Sequence, residues 1–171
     1  MADPSIHEPR WDAELPAPFR LRAARVGAQA GARDLGVTLY EIEAGGAISP
    51  YHVHHANEEL LVVLARTPRL RTPAGTATLE PGSVVAFPPG PEGAHRISNA
   101  GPEPARVLVC STMRLPEIAE HLDTGTWLAM TGPAQGRVFP DGTDVALPQA
   151  MTKAMEAGAA RDEGSARDAG D

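Results

Sequence analysis

Glycine and proline interrupt this chain at such short intervals that long helices have little room to form. The 171 residues include 17 of each, spread as turn signals between short apolar or alternating runs. Phe19-Arg20-Leu21-Arg22 alternates apolar and polar, and residues 37–43 (VTLYEIE) have strand composition. Residues 59–64 (ELLVVL) are apolar on both faces, as a strand inside a barrel would be. Further short runs at 69–71, 76–79, 83–87, 95–98 and 105–112 bring the expectation to about eight or nine strands, an all-β sandwich or barrel. Residues 1–18 read as a flexible arm, 19–114 as the barrel and 115–150 as an extension of helix and loop. Within that extension LPEIAEHL (115–122) predicts a two-turn helix with Pro116 in its first turn, followed by loop with one more strand. Residues 151–171, rich in Ala, Gly and charge, predict a short helix at most and then a disordered tail.

Charge and composition exclude several classes of function. A net charge of −7 with no Lys/Arg cluster argues against nucleic acid, whose phosphates need a basic face. The hydrophobic share of 42% suffices for a core, and the aromatic share of 4% means that Val, Leu, Ile and Ala must build it. The lone cysteine, Cys110, forbids an internal disulfide and fits a reducing compartment; within VLVC it reads as a small buried hydrophobe. No stretch approaches the roughly 20 apolar residues of a membrane helix, and the polar N-terminus lacks a signal core, so a cytoplasmic protein without membrane contact is expected.

The chemistry lies in a few histidines and one carboxylate. His52 and His54 are two apart, so on a strand both face one side. Glu59 follows at an odd offset, which requires a bend; His55-Ala56-Asn57 is polar, weakly strand-forming and suited to it. His95 follows a Pro/Gly-rich loop at the start of another strand, and barrel closure can return it to the same interior. Three imidazoles and a carboxylate suit a first-row divalent metal and leave positions open to water or substrate. His-x-His pairs alone are more often surface or core-satisfied histidines than ligands.

The flanking glycines and prolines raise the signal. The first motif of the cupin superfamily is G-x5-H-x-H-x3/4-E-x6-G, and here Gly46, His52, His54 and Glu59 take its places. The second is G-x5-P-x-G-x2-H-x3-N, matched by Gly82, Pro88, Gly90, His95 and Asn99. The chain thus resembles small single-domain cupins from about residue 36 to residue 112. Two departures stand out: Arg66 replaces the closing glycine of the first motif, and two extra residues lie between Gly90 and His95. Glu58 competes with Glu59 for the carboxylate place; the apolar run that begins directly afterwards favours Glu59.

The resemblance implies a double-stranded β-helix with one ion of Fe, Mn, Ni or Zn on His52, His54, Glu59 and His95. It implies a small-molecule ligand or substrate and a homodimer formed by edge strands or by exchange of the N-terminal strand. An oxygenase is the first expectation for function, with metal-dependent isomerase, epimerase or cyclase and a non-catalytic binding module as alternatives. The residues before the barrel are too few and too Pro-rich for a DNA-binding helix-turn-helix. Of the other candidates, His55 should face away from the metal, and His7 and His121 should lie on the surface. Arg69 and Arg71 share a strand face that is solvated or borders the mouth. Tyr51, Phe87 and Met113 are packing or pocket residues, and Asn99 is a turn holder.

Overall fold

Thirteen strands, one α-helical turn and one 3-10 turn make up the regular structure of the described residues, 3–132 and 135–140 of a computed structural model. In chain order they are β1 Ala13–Leu15, β2 Leu21–Ala24, the turn α1 Val26–Gln29, β3 Gly36–Ile42, β4 His52–His54, β5 Glu59–Ala65, β6 Arg69–Thr72 and β7 Gly75–Thr78. There follow β8 Val84–Phe87, β9 Arg96–Ser98, β10 Ala105–Ser111, β11 Glu117–His121, β12 Thr126–Gly132 and β13 Gln135–Phe139. The expected all-β class holds, and every strand pairing is antiparallel.

One layer is a six-stranded sheet in the order β1-β2-β3-β10-β5-β8. The other consists of a four-stranded sheet, β13-β12-β11-β4, and a three-stranded sheet, β7-β6-β9. An antiparallel bridge between His52 and His95 joins these two pieces. Its backbones exchange both hydrogen bonds, His52 N to the His95 carbonyl at 3.1 Å and His95 N to the His52 carbonyl at 2.8 Å.

Strand alternation places the core between the layers. Ile42, Leu61, Val63, Phe87, Val107 and Val109 come from the first layer and meet Leu70 and Ile97 of the second. A second cluster lies on the other face of β3, where Ala24, Val26 and Leu39 pack with Ile6, Trp11 and Leu64. The ELLVVL run therefore does use both faces, but unequally: Leu61 is fully buried whereas Leu60 is 38% exposed.

The N-terminal residues are more ordered than an irregular arm. β1 pairs with β2, and the Arg22 guanidinium lies 4.6 Å from the centre of the Trp11 ring. The predicted helix over 115–122 is corrected to a strand: β11 lies between β4 and β12, with Glu120 opposite Val53 and His121 opposite His52. Local composition favoured a helix, but Glu117 and Ala119 are buried at period two, and pairing with the edge of β4 outweighs propensity. The single further strand expected after residue 122 is a hairpin, β12 and β13, within the described residues. The expectations for 141–150 and for a tail over 151–171 lie outside the described residues.

Register also creates an ionic crossing. Glu41 on β3 lies opposite Arg22 of β2 and Arg106 of β10, and it binds both, Arg106 Nε at 2.6 Å. Burial opposes ionisation of Glu41, but hydrogen bonds from Arg22 and Arg106 outweigh it and hold the carboxyl below its usual range.

Two stability experiments follow from this packing. Leu61→Ala should cost about 2–5 kcal/mol and Leu60→Ala under about 1 kcal/mol in denaturant unfolding. A depressed folded-state pKa makes the Glu41 contribution full above the unfolded value of about 4.3 and lost as pH falls through the folded value. Glu41→Gln should thus destabilise the protein at neutral pH, and its denaturation midpoint should converge on that of the unmutated protein in acid.

Candidate metal centre

Alternation in β4 buries Val53 and turns His52 and His54 together to the opposite side. The strand stops after His54 and β5 begins at Glu59, so the required bend falls over 55–58. The His54 carbonyl accepts from Gly90 N at 2.7 Å, and the Glu58 carbonyl accepts from Thr112 N at 3.2 Å, which pins both ends of the bend. Glu59 consequently faces the histidines, while Glu58 is exposed. His95 arrives through its backbone bridge to His52.

The four side chains converge. Ligand atoms of His52, His54 and Glu59 lie within 4.8 Å of one another. His52 Nε2 is 3.0 Å from His54 Nε2, and Glu59 Oε2 is 3.6 Å from His54 Nε2 and 3.2 Å from His95 Nε2. The rings of His52 and His95 have centres 4.5 Å apart.

Hydrogen bonding on the far side of the rings sets which nitrogens converge. His52 Nδ1 lies 3.0 Å from the Pro50 carbonyl, and His95 Nδ1 lies 2.9 Å from the Gly93 carbonyl. A carbonyl only accepts, so each Nδ1 carries its proton and each Nε2 presents a lone pair to the centre. The bare Nε2 of His52 then lies 3.0 Å from His54 Nε2, and the bare Nε2 of His95 faces a carboxylate oxygen. Such crowding of electron-pair donors is relieved by a shared cation. The 3.0 Å between His52 and His54 nitrogens also suits two ligands at right angles on an ion about 2.1 Å from each. The donor set fits a first-row divalent metal.

Electrostatics agree with that arrangement. Burial, and then the neighbouring His95 and His54, push His52 down to about 4, which keeps it neutral as a ligand must be. Burial alone would raise Glu59, but the His95 ring, 3.2 Å away, and then His54 and His52 hold it below the usual carboxylate range.

Behind this set lies a group that the sequence did not reveal. Glu117, 2% exposed, opens β11, and its Oε1 accepts from the backbone N–H of His55 at 3.1 Å and of Ala56 at 3.4 Å. Its Oε2 accepts from the Asn57 amide, and its Oε1 lies 3.7 Å from His54 Nδ1. Asn57 also accepts from Arg114 N at 2.5 Å and from Thr112 Oγ1 at 3.0 Å. The period-two alternation of Glu117, Ala119 and His121 is the signal that could have found Glu117.

A cavity of about 310 Å³ opens onto the His54 and Glu59 side of the centre. Thr38, Tyr40 and Ser111 supply hydroxyls to its wall, and Val109, Leu115 and Met130 supply apolar surface. Arg114 is its one arginine or lysine, with no ion-pair partner among the described residues. Burial, then the charge of Glu59, raises the Tyr40 hydroxyl above its ordinary range and keeps it a proton donor.

Of the remaining candidates, Met113 lines this cavity, whereas Phe87 stacks on His95 with ring centres 3.8 Å apart. Tyr51 is buried under the Arg71 guanidinium at 3.9 Å, and Arg71 binds Asp123 through two 2.8 Å hydrogen bonds. Arg69 is exposed, so neither arginine lines the cavity. His7 is exposed, and His55, also exposed, stacks on Trp127. His121 is half-buried on β11, its ring 6.4 Å from that of His52, which corrects its surface assignment. Cys110 is half-buried, and burial raises its thiol. Asn99 holds a local turn through Gly101 N and also donates to the Ile42 carbonyl at 2.9 Å.

Both departures from the motif pattern have local solutions. Arg66 keeps the left-handed backbone that a glycine would favour, φ 64°, and pairs with Glu103 at 2.5 Å. The two extra residues before His95 are absorbed by a single 3-10 turn over Pro91–Gly93.

Comparison with known proteins finds a matching family model and solved structures of similar fold. A family model described as "Cupin domain" matches residues 38–111. A candidate sugar phosphate isomerase from Acidithiobacillus ferrooxidans is 27% identical, TM-score 0.67, over 74% of this chain and 80% of its own. A cupin-superfamily sugar phosphate isomerase from Silicibacter pomeroyi is 24% identical, TM-score 0.72, over 86% and 98%. The polyketide cyclase RemF from Streptomyces resistomycificus shares the fold at 21% identity, TM-score 0.55, over 68% and 83%. No curated protein matches the sequence.

The loop that carries His95 offers a direct test. A Cβ on Gly93 would come within 1.8 Å of the Pro88 carbonyl oxygen, and the Gly93 carbonyl is what holds His95 Nδ1. Gly93→Ala should lower stability by at least about 2 kcal/mol in urea unfolding and weaken divalent-metal binding in the fraction that folds.

Proposed function

We propose that this chain, a member of the cupin superfamily, is a metal-dependent enzyme acting on a small, oxygen-rich organic substrate in the cavity beside His54 and Glu59. The observation that carries the reading is that His54 and Glu59 of the ligand set themselves line the cavity, beside Tyr40, Ser111 and Arg114. His52, His54, Glu59 and His95 would hold a divalent ion of Fe, Mn, Ni or Zn. Such an ion supplies Lewis acidity to a substrate carbonyl or hydroxyl, or a site for dioxygen. Tyr40 and Ser111 are placed to donate hydrogen bonds to substrate oxygens, and Arg114 to pair with an anionic group at the mouth.

Isomerisation is the reading placed first, reversing the order expected from the sequence. It is supported by the hydroxyl-rich wall and by 27% identity to the Acidithiobacillus protein. Oxygenation is the second reading, supported by the three-histidine, one-carboxylate donor set and by the apolar wall at Val109, Leu115 and Met130.

Protein loaded in turn with Mn, Fe, Ni and Zn should be incubated with a panel of sugar phosphates and related hydroxy acids, with NMR and oxygen uptake recorded. Interconversion of isomers without oxygen uptake supports the first reading, and uptake with product formation the second. Ligand-induced stabilisation without turnover under any metal would contradict an enzyme and indicate a binding protein. With an anionic substrate, Arg114→Ala should raise KM about tenfold or more with a smaller effect on kcat.

A further inference from the structure

The buried carboxylate of Glu117 has no role in the ligand set, yet it is anchored from several sides and aimed at one ligand. It is 2% exposed and takes the backbone N–H groups of His55 and Ala56 on Oε1 and the Asn57 amide on Oε2. These donors all belong to the bend that separates His54 from Glu59. The same Oε1 faces His54 Nδ1 at 3.7 Å, and that nitrogen is buried with no hydrogen-bond partner. His54 is thus flanked by two carboxylates, Glu117 toward Nδ1 and Glu59 toward Nε2.

His52 and His95 each have a backbone carbonyl to hold the proton on Nδ1, at 3.0 and 2.9 Å. His54 has no such carbonyl; Glu117 stands in the equivalent place. A carboxylate that accepts from a histidine Nδ1–H orients the ring and increases the basicity of its Nε2. We propose that Glu117 is the positioning residue of the metal centre: it fixes His54 in the Nδ1–H form with Nε2 turned to the ion, and it ties that ring to the bend that sets Glu59. This role rests on the metal-centre reading and adds a fifth residue, from β11, that the ligand motifs do not contain. It also makes Asn57 a brace, since its amide holds Glu117 Oε2 while its carbonyl holds Thr112 and the cavity-wall residue Arg114.

The test separates positioning from plain structural support. Glu117→Gln keeps an acceptor for the His55 and Ala56 amides and removes the charge. Metal-free folding of both proteins would be followed by thermal melting, and Zn(II) and Co(II) affinity by chelator competition. The expected result is a 10- to 100-fold weaker affinity in a folded variant, with an altered Co(II) visible spectrum. Unchanged affinity and spectrum in the folded variant would overturn the proposal while leaving the metal centre intact. Absence of metal binding by the unmutated protein would overturn both. A measurement on the unmutated protein covers the case in which the variant fails to fold: long-range 15N–1H NMR of the His54 ring should show Nδ1 protonated with Zn(II) bound, and an Nε2–H form would refute the assignment.

Discussion

Everything at the candidate centre depends on the backbone pair between His52 and His95. The two residues exchange both main-chain hydrogen bonds, and this bridge joins the four-stranded and three-stranded sheets of the second layer. Ligand geometry is therefore a by-product of sheet closure: the same contact that completes the layer brings two imidazoles from distant parts of the chain to 4.5 Å between centres. A metal site built in this way is held by main-chain hydrogen bonds, which leaves the side-chain nitrogens free for ligation.

Around that seam each ring turns its Nδ1 toward an oxygen of the protein. Carbonyls of Pro50 and Gly93 hold two histidines, and the buried Glu117 faces the third. The loop over 88–93 shows how closely backbone geometry serves the site. Gly93 has no room for a Cβ, and its carbonyl is the His95 anchor, so steric and chemical demands meet in one residue.

The strand content was legible in the sequence from local rules, and the four converging side chains from their spacing to the flanking glycines and prolines of the two cupin motifs. Gly/Pro punctuation bounds strands, and His-x-His on a strand shares a face. The choice of Glu59 over Glu58 followed from the habit of the family it resembles and from where the apolar run begins, and the structure turns Glu59 inward. Residues 115–122 were misread because Pro116 and the charged, Ala-containing run that follows satisfy helix rules locally, while the partner that makes them a strand is β4, some 60 residues earlier in the chain. Losing that strand also hid Glu117. Asn57 was visible only as part of a bend, and Tyr40 and Arg114 only as ordinary residues, since cavity walls are assembled from elements far apart in sequence. Arg66 shows the opposite case: a departure from the motif's closing glycine keeps the left-handed backbone that a glycine would favour.

The central claim is that His52, His54, Glu59 and His95 form one divalent metal centre. Elemental analysis of untagged protein as purified, beside the doubly substituted His52→Ala/His95→Ala protein, tests it most directly. The account predicts about one equivalent of a first-row metal in the unmutated protein and loss of that metal in the variant. No metal in either protein, even after reloading with Fe(II), Mn(II), Ni(II) and Zn(II) under reducing conditions, would contradict it.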